Sequence, residues 1–273
     1  MKRFKYLFYL IFISISFSGC SNLDRSVSSL IQAASMIPDS TISSLDTSEQ
    51  NWGQGVQFDD YNRPISCVEF EEKYGKLGAK FLNGDEKSKT ICLTFDEGYE
   101  NGYTGKILDV LKEHKTPAIF FVTLPYAKEN PDLIKRMIDE GHIVANHTAS
   151  HPNMPSLSNE EQVNDIQKLH DYIKENFGYE MSLFRYPAGS FSEQSLAVVN
   201  NAGYKSLFWS FAYADWDPNK QMDESKALNK LAERLHPGAI YLLHAVSATN
   251  ANILGDFIDK TIEKGYQFSV EVK

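Results

Sequence analysis

The chain has 273 residues, 42% of them hydrophobic and 23% charged, and a formal net charge of -9. These proportions exclude a disordered or fibrous chain and leave room for one large domain or two small ones. The acidic balance argues against a partner bound through phosphates, so no nucleic-acid partner is expected.

Residues 1–20 are a separate object. Lys2, Arg3 and Lys5 precede an apolar run from Leu7 to Ser18. That run is short for a spanning helix, which needs about 20 apolar residues, and has the shape of an export signal. It ends in Phe17-Ser18-Gly19-Cys20, which resembles a bacterial lipoprotein signal and implies lipidation at Cys20. A short uncleaved anchor is the alternative. Either option makes the rest extracytoplasmic, held at the membrane through the N-terminus. Residues 21–50, rich in Ser, Thr and Asp, read as a flexible tether. Residues 51–89 carry Gly and aromatics without periodicity and are expected to pack on a domain edge as an irregular extension. The main domain spans 90–273. Cys67 and Cys92 are expected to be free thiols, since two cysteines define no disulfide framework.

From residue 90 the pattern alternates. Strands are expected at 90–95, 118–122, 142–146, 183–187, 205–211, 239–244 and 266–270. Helices are expected at 104–115, 130–141, 158–178, 192–203, 223–238 and 250–265. Strand–helix alternation with short apolar strands predicts an α/β fold with a parallel sheet or barrel. Ionisable groups fall at or just after strand ends: Asp96 and Glu97, His147, Arg185, Asp215 and His244. In barrel enzymes the site lies at that rim.

His147 and His151, four apart in "NHTASH", would share one face of a helical turn. Two imidazoles and one carboxylate leave open positions on a divalent metal, which would also relieve the repulsion between Asp96 and Glu97. One acid then ligates and the other takes a water proton. Arg185, close to Asp96, would hold that carboxylate ionised. "YADWD" supplies Asp215 and an aromatic wall, Trp216. An acid beside His244 would raise its pKa and make it a proton donor. His142 is expected to pack beside the Gly141 turn, and His114, His170 and His236 to be surface residues.

"TFDEG", "HTASH", "RYPAG", "DW" and "LLH" resemble, in order, the motifs of the polysaccharide deacetylases (NodB homology, carbohydrate esterase family 4), over about residues 88–270. The resemblance implies a distorted (β/α) barrel and a metal-dependent hydrolase of amide bonds. It makes Asp96 the general base, Arg185 its holder, Asp215 the partner of the acid and His244 the general acid. It places the metal on Glu97, His147 and His151, with zinc favoured and manganese or cobalt as alternatives. Tyr99, Pro187, Ala188, Gly189, Trp216 and Leu242 fall at substrate-binding positions, with the Ala188 N–H as oxyanion donor. "TFDEGYENGYT", "HTASHPNMP" and "LLHAVSATNA" further resemble the PdaA-type muramic-acid deacetylases of spore cortex formation. That match implies peptidoglycan strands as substrate, N-acetylmuramic acid lacking its peptide as target, and muramic δ-lactam as outcome. Deacetylation of N-acetylglucosamine or another wall polysaccharide is the alternative, and a non-catalytic wall-binding lipoprotein a third reading.

Overall fold

The computed structural model describes residues 36–273. The export signal, Cys20 and most of the expected tether lie outside them. Among the described residues no helix is long and apolar enough to cross a membrane.

A compact unit spans Ile37–Lys273. A short helix α1 (Asp39–Ile42) buries Ile42 against Ala197 and Val198, and the Ile37 N–H donates to Asn201 Oδ1 at 2.9 Å. The tether expected to reach residue 50 is therefore docked over its last part. Next come β1 (Gln50–Asn51), α2 (Ile65–Tyr74) and β2 (Ala79–Lys80), then β3 (Thr90–Glu97), α3 (Thr104–Glu113) and β4 (Ile119–Val122). The chain continues through α4 (Leu124–Glu129), α5 (Pro131–Asp139), β5 (Ile143–Asn146), α6 (Asn159–Phe177) and β6 (Leu183–Phe184). Last are β7 (Ser190–Phe191), α7 (Glu193–Asn201), β8 (Lys205–Leu207), α8 (Glu224–Glu233), β9 (Ile240–His244), α9 (Ala248–Glu263) and β10 (Gln267–Phe268).

The main sheet is parallel and curls on itself. β3 lies between β4 on one side and β9 and β10 on the other, and the path continues β4-β5-β6-β8-β2. Beyond β8 the chain runs on to Phe211, which bridges in parallel to Tyr241 of β9. At the opposite end of the seam, the Asn83 N–H after β2 donates to Gly238 O at 2.7 Å. A Cβ on Gly238 would meet the Asn83 carbonyl at 3.0 Å, and its φ of +68° favours glycine, so this closure requires glycine. The extension expected to pack irregularly on the domain edge thus supplies β2 to the sheet itself.

Helix formation follows local signals. α6 starts with a capping box between Ser158 and Glu161 and stops at Gly178 in the left-handed conformation. Its buried Ile166, Leu169 and Ile173 recur at helical spacing and cover the sheet. α4 was absent from the periodicity reading; Thr123 caps it and Pro125 sits in its first turn. Cys67 and Cys92 are buried and unpaired.

Candidate active site

The C-terminal ends of the strands open into a cleft of about 660 Å³. Asp96, Tyr99, His147, His151, Ala188, Trp216, Leu242 and His244 all line it. Pro187 and Gly189 shape the turn around Ala188, and Arg185 and Asp215 stand behind the wall, fully or almost fully buried.

Asp96 projects from β3 and is 7% exposed. The Arg185 Nη1 donates to its Oδ1 at 2.8 Å. Burial alone would push the Asp96 carboxyl up, but the charges of Arg185, then His147 and His244, outweigh it and hold it below the usual range. Arg185 is itself fixed: Nη1 also donates to Thr94 Oγ1 at 2.7 Å, Nε to Leu207 O at 2.9 Å and Nη2 to Phe208 O at 3.3 Å. Its guanidinium lies 4.0 Å from the centre of the Phe121 ring.

On the adjacent strand, His244 ends β9 as the register partner of Asp96. Its Nδ1 lies 2.7 Å from Asp215 Oδ1, and its backbone N–H donates to Asp215 Oδ2 at 2.8 Å. Asn250 of α9 adds a third donor to that carboxylate, Nδ2 to Oδ2 at 2.6 Å. Burial lowers the His244 pKa, but the hydrogen bond and charge of Asp215, with Asp96 beyond, reverse this and raise it above 6.5. One carboxyl held down and one imidazole held up line the same cleft, the pair of protonation states that acid–base chemistry requires.

His147 and His151 meet with ring centroids 5.0 Å apart, but not on a helical turn. Residues 147–153 form an irregular loop in which Thr148 and His151 take φ of +73° and +53°. Left-handed Thr is a steric outlier, and such strain concentrates at functional sites. The loop is braced: Asn146 Oδ1 accepts from the Thr148 N–H at 2.8 Å and Asp165 Oδ1 from the Ala149 N–H at 2.7 Å. The His147 Nδ1 lies 2.9 Å from Arg185 O, a pure acceptor, so Nδ1 carries the proton and Nε2 keeps its lone pair. Burial lowers the His147 pKa to about 4, which leaves the imidazole neutral.

Glu97 departs from the expected ligand set. Successive strand residues face opposite sides, and with Asp96 in the cleft, Glu97 turns into the shell near Thr104, Glu100 and Tyr126. It is fully buried, and among the described residues neither carboxylate oxygen has a hydrogen-bond partner. Burial, then Glu100 and Asp96, raise its pKa well above 4.5. Among the described residues no three His, Cys, Asp or Glu side chains converge on one metal position. The two imidazoles fit a divalent ion, with Asp96 Oδ2 3.7 Å from His147 Nε2; Glu97 as placed does not.

A raised carboxyl pKa favours folding fully below 4.5, and that contribution is lost as pH rises toward the folded value. Glu97→Gln is therefore expected to flatten the fall of melting temperature with pH above 4.5 and to leave zinc affinity unchanged. Weaker zinc binding by titration calorimetry would restore Glu97 as a ligand.

Comparison with known proteins agrees with this architecture. The pattern of the polysaccharide deacetylase family matches residues 83–207. The chain is 44% identical over 219 residues to the peptidoglycan-N-acetylmuramic acid deacetylase PdaA of Bacillus subtilis, covering 80% of this chain and 82% of that one. It is 31% identical to a peptidoglycan-N-acetylglucosamine deacetylase of Bacillus cereus, covering 78% and 74%. The solved structure of B. subtilis PdaA, a family 4 carbohydrate esterase, superposes with a TM-score of 0.78 at 39% identity, covering 82% of this chain and 96% of that one. The chain belongs to the polysaccharide deacetylases, hydrolases that act on amide bonds and are generally metal-dependent.

Several site residues escaped the sequence reading. Trp52, Gly53 and Gln54 line the cleft, as do Trp209 and Tyr213. Asn250 braces the Asp215–His244 pair and Asp165 the histidine loop. Motif spacing flags none of them, because they act through contacts far apart in the chain. His236, expected at the surface, is 1% exposed. Its Nε2 meets Ser210 Oγ at 2.8 Å, and its Nδ1 meets Arg234 O at 2.7 Å, where the chain turns into β9. His142 is buried beside Gly141, and its Nδ1 accepts from the Ala118 N–H at 3.2 Å.

Proposed function

We propose that the protein removes the N-acetyl group from muramic acid residues of peptidoglycan strands lacking their peptide, leading to muramic δ-lactam in spore cortex. The observation that supports the chemistry is the neighbouring pair, Asp96 on Arg185 and His244 on Asp215, side by side in one cleft. The substrate reading leans on the similarity to PdaA.

Asp96, kept ionised by Arg185, takes the proton of the attacking water through its free Oδ2. Ala188, left-handed at φ +53° in the turn that opens on the cleft, donates its N–H to the developing oxyanion. His244, protonated through Asp215, gives its proton to the departing sugar nitrogen, which leaves acetate and a free amine. A divalent ion held by His147 and His151, zinc in the first instance with manganese or cobalt as alternatives, would polarise the acetyl carbonyl and acidify water. Tyr99 and Trp216, 49% and 60% exposed at the cleft mouth, offer aromatic faces to sugar rings. The freed amine of a muramic residue can then close on its own lactyl carboxyl. An N-terminal lipid on Cys20 would hold the enzyme extracytoplasmically at the membrane, and loss of membrane association in Cys20→Ala tests that anchor.

The test is acetate release from peptide-free muramic glycan, with chelator and with each metal restored, followed by product analysis. δ-Lactam supports the muramic reading; free-amine glucosamine points instead to the specificity of the B. cereus relative. No release from any acetylated glycan would support a wall-binding role.

The base limb of the pH profile gives a separate check. Because His244 is raised above 6.5, kcat/KM should fall only above that value. Asp215→Asn removes the charge that raises it, so the limb should move to lower pH. An unmoved limb would mean that another group is the acid.

A further inference from the structure

One wall of the cleft comes from a segment that precedes the family match at 83–207. Residues 49–54 cross the rim and are fastened to three loops of the site. β1 pairs antiparallel with β7, setting Gln50 opposite Phe191 and Asn51 opposite Ser190. The Trp52 N–H donates to Gly189 O at 3.0 Å, in the turn that carries Ala188. The approach is close: a Cβ on Gly189 would fall 2.8 Å from the Trp209 ring and 3.2 Å from the Trp52 Cβ. Trp52 Nε1 donates to Trp209 O at 2.9 Å, Trp209 Nε1 to Gln54 Oε1 at 3.1 Å, and Gln54 Nε2 to Ala212 O at 3.1 Å. Asn153, just past His151, donates to Glu49 Oε2 at 2.9 Å.

Gly53 stands in the middle of this fastened segment and is itself exposed. A Cβ built on it meets nothing within 4 Å, and its φ lies outside the left-handed region. Neither packing nor backbone strain demands a glycine there. Its own N–H and C=O take no hydrogen bond within the described residues. A bare backbone with free donor and acceptor at the edge of a cleft is what a close-lying sugar needs. We infer that residues 49–54 are a substrate wall of the deacetylase, with Gly53 set against an N-acetylated glycan longer than the sugar being cleaved, as a specificity-determining position. The inference rests on the deacetylase activity and not on the muramic preference.

The test is the series Gly53→Ala, Gly53→Leu and Gly53→Phe. Acetate release is followed on peptide-free wall glycan and on a chitin tetramer, beside hydrolysis of 4-nitrophenyl acetate, which presents only the reacting group. Using both glycans lets the muramic reading fail without touching this result. The expected outcome is a KM for glycan that climbs with side-chain size. At Phe, kcat/KM on glycan should have fallen about tenfold further than on the ester, with the melting temperature held. Equal losses on glycan and ester, or a falling melting temperature, would make the segment purely structural. Unchanged glycan kinetics across the series would show that Gly53 does not face substrate.

Discussion

Asp96→Asn should reduce acetate release by about a thousandfold, in the range that a positioned general base contributes. The substitution keeps an oxygen for Arg185 Nη1 and removes the charge that makes Oδ2 a base. The fold should survive, because the guanidinium retains Thr94 Oγ1, Leu207 O and Phe208 O as acceptors. The buried guanidinium loses its counter-charge, a cost of up to about 3–5 kcal/mol that the retained oxygen offsets in part. Circular dichroism and thermal unfolding measure the second part, acetate assay the first. Turnover within tenfold of the parent would remove Asp96 as base, since no weaker acid in the cleft replaces a missing carboxylate at that position.

The barrel and its rim were legible because they are written in local patterns. "TICLTF" is apolar apart from Thr90 and Thr94, as befits a strand covered on both faces, and helices such as α6 carry their own caps. Strand ends mark the rim, so Asp96, His147 and His244 could be placed together before any coordinates. Three things were not legible. Whether Glu97 faces the cleft depends on where β3 stops pairing, and β3 remains in register with β4 through Glu97 opposite Val122. One more strand residue turns an expected ligand into a buried orphan. The histidine pair converges through left-handed Thr148 and His151, a conformation that spacing alone does not reveal. The contribution of 49–54 is made by contacts more than a hundred residues apart, for which a single sequence carries no signal.

The strained positions share an arrangement. Among the described residues, Thr148, His151 and Ala188 are three of the five non-glycine residues with positive φ, and all three flank the cleft. Each is braced by a hydrogen bond: Thr148 by Asn146 at the end of β5, His151 within its own loop through its N–H to Thr148 Oγ1 at 2.8 Å, and the Ala188 turn by Trp52. Rigid strands supply direction, and the bracing holds the loops in conformations they would otherwise leave.

Arg185 is where fold and chemistry depend on the same atoms, and Arg185→Met should damage both. The side chain is fully buried and ties β6 to β3 and to the end of β8 through four hydrogen bonds. Methionine fills much of the volume but strands Asp96 as a buried charge without its partner. Breaking a buried pair from one side costs about 3–5 kcal/mol. In a domain of this size that should lower the melting temperature by roughly 10 °C. Without the guanidinium, burial dominates Asp96 and drives its pKa upward, so the surviving folded fraction should need higher pH to work. Arg185→Lys restores the charge but not the fork, and should recover part of the stability and less of the activity. If Arg185→Met instead melted within about 1 kcal/mol of the parent and kept its acid limb, the pair with Asp96 would be incidental. The base would then owe its ionisation to His244.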